Sequence, residues 1–206
     1  MMITGIEPIT NSKSKVFIDE QLAFALYKGE LSRYHLKVGE PIKEDVYDEL
    51  MGKILVKRAK IRAMNLLKSM DRTEQEIRRK LKQNFYPEVI IDIAVEYVRS
   101  YHYIDDERYI RRYIDWKKDS KSKRQIEMDL MKKGIKKEMI SIVYDEVGEQ
   151  DELILIRKLL DKKGYVSEEA TGKEKQKIYR FLMQKGFKSS DIQQVMKNSN
   201  DFNDEF

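Results

Sequence analysis

An internal repeat limits this chain more than any other feature. Ile77 and Leu81 recur as Ile126 and Leu130, and again as Ile178 and Leu182. The first offset is 49 residues and the second 52. Tyr86, Ile135 and Phe187 fall in the same register, as do Ile91, Ile140 and Ile192, and Ala94, Val143 and Val195. A fixed period of this length marks one supersecondary unit copied along the chain, each copy burying its apolar face against its own helices and its neighbours. KKGI (132–135) and QKGF (184–187) repeat as phrases. Each is a basic turn, a glycine suited to a left-handed C-cap, and an apolar residue that packs back.

Each copy reads as three helices. The spacing predicts helices over 58–70, 74–84 and 88–100, then 106–118, 122–133 and 137–147, then 151–162, 173–185 and 189–198. Ile91, Ala94, Val95 and Val98 follow i, i+3, i+4, i+7 spacing, and Ile140, Val143, Tyr144 and Val147 repeat it. Thr73 with Glu76 forms a capping-box pattern. The loop between first and second helices lengthens in the third copy, GYVSEEATG (164–172). These columns report packing, not chemistry. The expected fold is mainly α, with three tandem three-helix repeats in an elongated, curved array. A linker helix and the first repeat occupy 43–104, the second repeat 105–150 and the third 151–198. An acidic tail, 199–206, ends the chain.

Residues 1–42 read differently, as a small N-terminal β/helix extension. Short apolar segments near 2–9, 14–19 and 22–27 predict two or three strands. A short helix over Leu31 to Leu36 is expected next, ending before Gly39 and Pro41.

Charged residues make up 37% of the chain and net charge is +5, so a polyanionic partner is compatible. The charge is sorted. Residues 57–82 hold ten cations (Lys57, Arg58, Lys60, Arg62, Lys68, Arg72, Arg78, Arg79, Lys80 and Lys82) against three acids. Residues 108–124 hold Arg108, Arg111, Arg112, Lys117, Lys118, Lys121, Lys123 and Arg124 against two acids. Residues 137–152 reverse this, with six acids against Lys137. A basic face would attract phosphate backbones or an acidic protein groove; a solvated helix face is the bland alternative. Tyr113 and Trp116 among these cations suit base stacking as well as backbone contact, but Tyr109, Ile110, Tyr113 and Ile114 also have core spacing.

Catalytic patterns are missing. Neither a GxxxxGK[ST] nor a GxGxxG loop occurs. There is no cysteine, and the two histidines, His35 and His102, lie far apart. The expectation is no enzyme, no cofactor and no metal. The absence of cysteine fits a reducing cytoplasm, and MMITGIEPIT lacks the basic and apolar regions of a signal peptide. The apolar stretches are too short to span a membrane. In YHYIDDERYIRRYI (101–114) the aspartate pair reads as a helix start: Asp105 as N-cap, with Asp106 and Glu107 in the first turn where the dipole favours them.

DRTEQEIRRKL (71–81), YIDDERYIRRYI (103–114), QIEMDLMKKGIKKEMI (125–140) and KIYRFLMQKGF (177–187) together resemble the RecX family of recombination regulators. The resemblance runs from about residue 55 to 198. Tyr109-Ile110 stands where the family commonly has Phe-Ala. KDSKSKRQI (118–126) lacks a glycine often found there, and Asn84-Phe85 replaces a frequent glycine. The resemblance implies three tandem three-helix units. It also implies binding to the RecA recombinase and its filament on single-stranded DNA, and modulation, mostly inhibition, of strand exchange and ATP hydrolysis. A monomer contacting single- and double-stranded DNA through its backbone is expected. The candidate contacts are Lys57, Arg58, Lys60, Arg62, Arg72, Arg78, Arg79, Lys82, Arg108, Arg111, Arg112, Lys117, Lys118, Lys121, Lys123 and Arg124. A helix-turn-helix DNA regulator and a helical-repeat scaffold for another protein are the alternative readings.

Overall fold

The computed structural model describes residues 1–148 and 151–197. The acidic segment 199–206 lies outside the described residues. Two compact units divide the chain, Met1–Asp105 and Asp106–Phe206.

The first unit opens with a three-stranded antiparallel sheet, β1 (Ile3–Thr10), β2 (Lys13–Ile18) and β3 (Gln21–Tyr27), in that spatial order. All three of the segments in which two or three strands are expected form strands. Strand β2 alternates strictly, with Ser14, Val16 and Ile18 buried and Lys13, Lys15 and Phe17 half-buried, which is the period of a strand covered on one face. Asp19 and Glu20 turn the second hairpin with positive φ at both positions, the twist that a two-residue hairpin favours.

Helix α1 spans Lys28–Arg33, three residues earlier than expected. Glu30 accepts a hydrogen bond from the Tyr27 backbone N–H at 2.8 Å and starts the helix there. His35, at φ 49, takes the left-handed stop for which Gly39 is the better-suited residue. Leu36 then donates its N–H to the Leu31 carbonyl at 2.9 Å and turns its side chain into the core.

Helix α2 (Glu44–Glu49) runs through a π-helical stretch, Leu50–Leu55, into α3 (Val56–Ser69). Leu50 and Val56, at the joints, both keep right-handed helical backbone, so the linker helix and the first repeat's first helix are one continuous rod. Helices α4 (Glu74–Lys82) and α5 (Glu88–Ser100) complete the first repeat. The capping box on α4 forms as expected: Thr73 Oγ1 accepts from the Glu76 N–H at 3.2 Å, and Glu76 accepts from the Thr73 N–H at 3.1 Å. Sheet and helices share one hydrophobic cluster, in which Ile3, Phe24 and Leu26 join Leu50, Ala59, Leu81 and Val95. The N-terminal sheet is therefore part of the first repeat's core.

In the second unit, α6 (Asp106–Lys117), α7 (Lys123–Lys132) and α8 (Lys137–Val147) enclose Ile110, Ile114, Ile126, Leu130, Ile140 and Val143. Helices α9 (Glu152–Asp161), α10 (Gly172–Gln184) and α11 (Ser189–Lys197) enclose Leu155, Ile156, Leu182, Phe187, Ile192 and Val195. Ile178 departs from its column and is only partly buried. The lengthened loop after α9 opens a hollow of about 420 Å³ beside it, lined also by Tyr165, Val166 and Phe181. Thr171 and Glu174 form a capping box that begins α10 at Gly172.

Each middle helix ends in the same Schellman turn. The Tyr86, Ile135 and Phe187 N–H groups donate to the Leu81, Leu130 and Leu182 carbonyls at 3.4, 3.3 and 3.4 Å. The left-handed position is Gly134 (φ 87) and Gly186 (φ 89) in two copies but Phe85 (φ 64) in the first. A side chain there costs about 1–2 kcal/mol, and Lys15 packs over the Phe85 ring at 5.1 Å, a contact that offsets part of the cost.

Repeats two and three meet through hydrogen bonds from two backbone N–H groups. The Ser122 N–H donates to the Lys185 carbonyl at 3.0 Å, and the Lys123 N–H donates to the Glu152 carboxylate at 2.9 Å. Ser122 is fully buried, and its Oγ accepts from the Gln125 N–H at 3.1 Å. Gly186 sits directly against this cap.

Candidate nucleic-acid interface

Much of the sorted charge is spent inside each repeat. Arg78 on α4 donates to Glu74 at 2.8 Å and to Asp92 on α5 at 2.6 Å. Arg99, from α5, reaches the same Glu74. Burial alone would raise the Glu74 carboxyl, but hydrogen bonds from Arg78 and Arg99 overcome it and hold the carboxyl below its ordinary value. In the second repeat Arg111 on α6 pairs with Glu107 at 2.7 Å and with Glu146 on α8. The acidic third helices thus neutralise arginines of the basic helices beside them. Arg78 and Arg111 are struts between helices.

Other candidates hold the structure in different ways. Arg58 pairs with Glu30, donates to the Ala25 carbonyl at 3.3 Å and lies over the Tyr27 ring at 4.7 Å. It fastens α3 to the sheet. Arg72 donates to the Leu66 carbonyl at 3.2 Å and closes the end of α3. Lys60 rests over Tyr97 at 4.6 Å and Lys123 over Tyr144 at 5.0 Å. Lys118 pairs with Asp115 at 2.5 Å. Asp129 collects Lys121 at 2.5 Å, Gln125 at 2.9 Å and the Tyr113 hydroxyl at 3.2 Å. Burial first, then the Asp129 charge, pushes the Tyr113 hydroxyl up to about 12.

The remaining cations face water. Lys57, Arg62, Arg79, Arg108, Arg112 and Arg124 are exposed. Lys82 is exposed too, and its pairing with Glu88 at 3.6 Å joins two side chains that are 76% and 62% exposed, a geometry worth little in water. Lys117 lies over the Trp116 ring at 3.2 Å.

The fold also adds cations that the charge count passed over. Lys13, on β2, lies under the repulsion of Arg58 and Arg62; burial first, then that repulsion, lowers its proton affinity. Burial, then Lys121 and Lys185, does the same to Lys117. Lys13 sits in a strand and Lys185 in a turn, each far along the chain from the cations it joins, so only folding brings them to these clusters. Among the described residues no group of three or more His, Asp or Glu side chains is placed to hold a metal ion, and no helix is long and apolar enough to cross a membrane.

Known proteins share this architecture. Three family models match in order: the RecX first three-helix domain at residues 59–97, the second at 105–143 and the third at 149–196. Regulatory protein RecX of Caldanaerobacter subterraneus subsp. tengcongensis is 30% identical over 199 residues, covering 95% of this chain and 98% of its own. Regulatory protein RecX of Clostridium beijerinckii is 30% identical over 200 residues, covering 95% and 94%. A crystal structure of a regulatory protein RecX superposes with a TM-score of 0.59 at 24% identity, over 96% of this chain and 99% of that one. RecX from Lactobacillus salivarius superposes with a TM-score of 0.57 at 21% identity, over 70% and 96%; both are likenesses of fold. Three consecutive domain matches and 30% identity across nearly the full length of two relatives place the chain in the RecX family of regulatory proteins.

Proposed function

We propose that this protein regulates homologous recombination without catalysing a reaction. It binds the RecA recombinase and its filament on single-stranded DNA, and mostly inhibits strand exchange and ATP hydrolysis. The observation that carries this reading is the full-length family membership. The exposed cations Lys57, Arg62, Arg79, Lys82, Arg108, Arg112 and Arg124 support an electrostatic contact with DNA backbone as part of it. A regulator of this kind works by occupying a surface, so it needs no perturbed catalytic group. The test is to add purified protein, stoichiometric with RecA of the same organism, to DNA-dependent ATPase and strand-exchange assays. Both rates are expected to fall. Unchanged rates at stoichiometric protein, with binding to the filament absent by sedimentation, would sink the proposal.

Arg79 and Lys82 allow DNA binding to be tested with little disturbance of the fold, because Arg79 is exposed and the link from Lys82 to Glu88 on α5 joins two exposed side chains at 3.6 Å and is worth little. R79A/K82A should keep wild-type helicity and unfolding. Its duplex affinity should fall, and the slope of log affinity against log salt should become shallower by about 0.9 for each phosphate that the variant leaves un-neutralised. An unaltered slope in a fluorescence-anisotropy titration would remove α4 from the interface.

A further inference from the structure

Trp116 is the single tryptophan of the chain and, at 70% exposure, the most exposed large apolar side chain among the described residues. It ends a ladder of rings along α6. Tyr109 and Tyr113 stack at 6.3 Å with 13° between planes, and Tyr113 meets Trp116 edge-on at 5.9 Å. The two tyrosines are half-buried and pack on the core of the second repeat. The indole is the rung left in water, so core packing does not account for it.

Cations lie beside it. The Lys117 ammonium lies over one face of the ring. Lys185, carried in by the turn after α10, is close enough to repel Lys117, as is Lys121. Arg112 is exposed one helical turn before Trp116 on the same side of α6. Two carboxylates answer part of this charge: Asp115 pairs with Lys118, and Asp129 with Lys121. Lys117 and Lys185 have no ion pair among the described residues, and both rest over aromatic rings, Lys185 over Phe181 at 5.4 Å. An exposed aromatic ring beside a cluster of cations, some of them mutually repelling, is complementary to one polymer chemistry, a flat base joined to phosphates.

We infer that Trp116 is a stacking platform for a base of single-stranded nucleic acid, with Lys117, Lys185 and Arg112 taking the adjacent phosphates. The inference rests on the DNA-binding part of the proposed function and deepens it by naming unpaired strands as the ligand at this place. In a duplex both faces of each base are covered by its neighbours, so an aromatic ring gains nothing from it. An unpaired base offers a free face. When a base stacks on the indole, Lys117 leaves the ring for a phosphate, exchanging a cation–π contact for an ion pair. The charges of the patch attract either form of nucleic acid; the indole supplies the preference.

The test uses the full-length protein and Trp116 as its own reporter. Labelled oligothymidylate, and a duplex of equal length, are titrated while anisotropy and tryptophan emission are recorded together. Oligothymidylate should quench the emission along the same isotherm as the anisotropy rise. The duplex should raise anisotropy with little quenching. W116A, with wild-type circular dichroism, should lose roughly tenfold in oligothymidylate affinity and keep its duplex affinity, and W116F should recover most of the loss. Anisotropy that rises with oligothymidylate while emission stays constant overturns the stacking role and leaves the proposed function standing. So does a W116A loss equal for both strands. No anisotropy change with either nucleic acid overturns the DNA-binding half of the proposed function, and the stacking role with it.

Discussion

Gly186→Ala is expected to destabilise the second unit by about 2–5 kcal/mol, from a left-handed penalty of about 1–2 and overpacking of about 1–3. Gly186 sits at φ +89, where a side chain is strained whatever its surroundings. Its added Cβ would also fall 2.6 Å from Gln125 Cβ and 2.6 Å from Ser122 Oγ. Neither atom yields cheaply. Gln125 Cβ is fixed to helical backbone, and Ser122 Oγ is buried while it caps the Gln125 N–H. Relief would require the turn after α10 to back away from α7, which breaks the bond from the Ser122 N–H to the Lys185 carbonyl. Gly164 is the control. Its φ is +62, and nothing lies within 4 Å of the Cβ that alanine would bring. G164A should therefore cost only the backbone part, about 1 kcal/mol. Urea unfolding followed by circular dichroism reads both variants. Equal losses would mean that repeats two and three do not meet at this glycine.

Arg58→Ala should cost about 2–3 kcal/mol, the range for a charged partner removed from a half-shielded pair. The side chains of Arg58 and Glu30 are 18% and 21% exposed, so solvent screens the pair only in part. Truncation strands the Glu30 carboxylate, leaves the Ala25 carbonyl without its 3.3 Å donor, and uncovers the Tyr27 ring. R58K keeps the charge but not the planar fork that serves three partners, so it should recover less than half of the loss. Adding E30Q to R58A removes the stranded charge, and the double variant should fall short of additivity by about 1 kcal/mol. Nucleic-acid affinity measured where the variant is fully folded should match wild type, in contrast to R79A/K82A. Wild-type unfolding with weakened affinity would instead make Arg58 a nucleic-acid ligand.

Arg58 shows where reading the chain alone reaches its limit. The basic stretch 57–82 is real, but a count of charges treats Arg58, Arg78 and Arg79 alike. Two of them turn inward because a carboxylate from elsewhere in the chain, Glu30 or Asp92, waits at the right depth. Arg79 turns outward, exposed, and makes no ion pair among the described residues. The same holds for Arg111, whose i, i+4 partner Glu107 is legible in the sequence, and whose second partner Glu146 is not.

What the sequence determined by itself was most of what is local or periodic. The repeat offsets placed Ile77, Ile126 and their columns, because a short helix must bury one stripe and that stripe recurs at helical spacing. The Thr73–Glu76 cap and the Asp151 cap of α9 are equally legible, since both act within three residues. The early start of α1 is hidden because Glu30 is not preceded by a usual capping residue, and the continuous rod from α2 to α3 because a π-helical stretch carries no capping signal. Only the tertiary structure joined the sheet to the first repeat's core, seated Gly186 on Ser122, and brought Lys185 towards Lys117. The reason is physical. Propensity, caps and periodicity depend on neighbours within a turn or two, whereas charge pairing and exposure depend on which distant segment occupies the adjoining space.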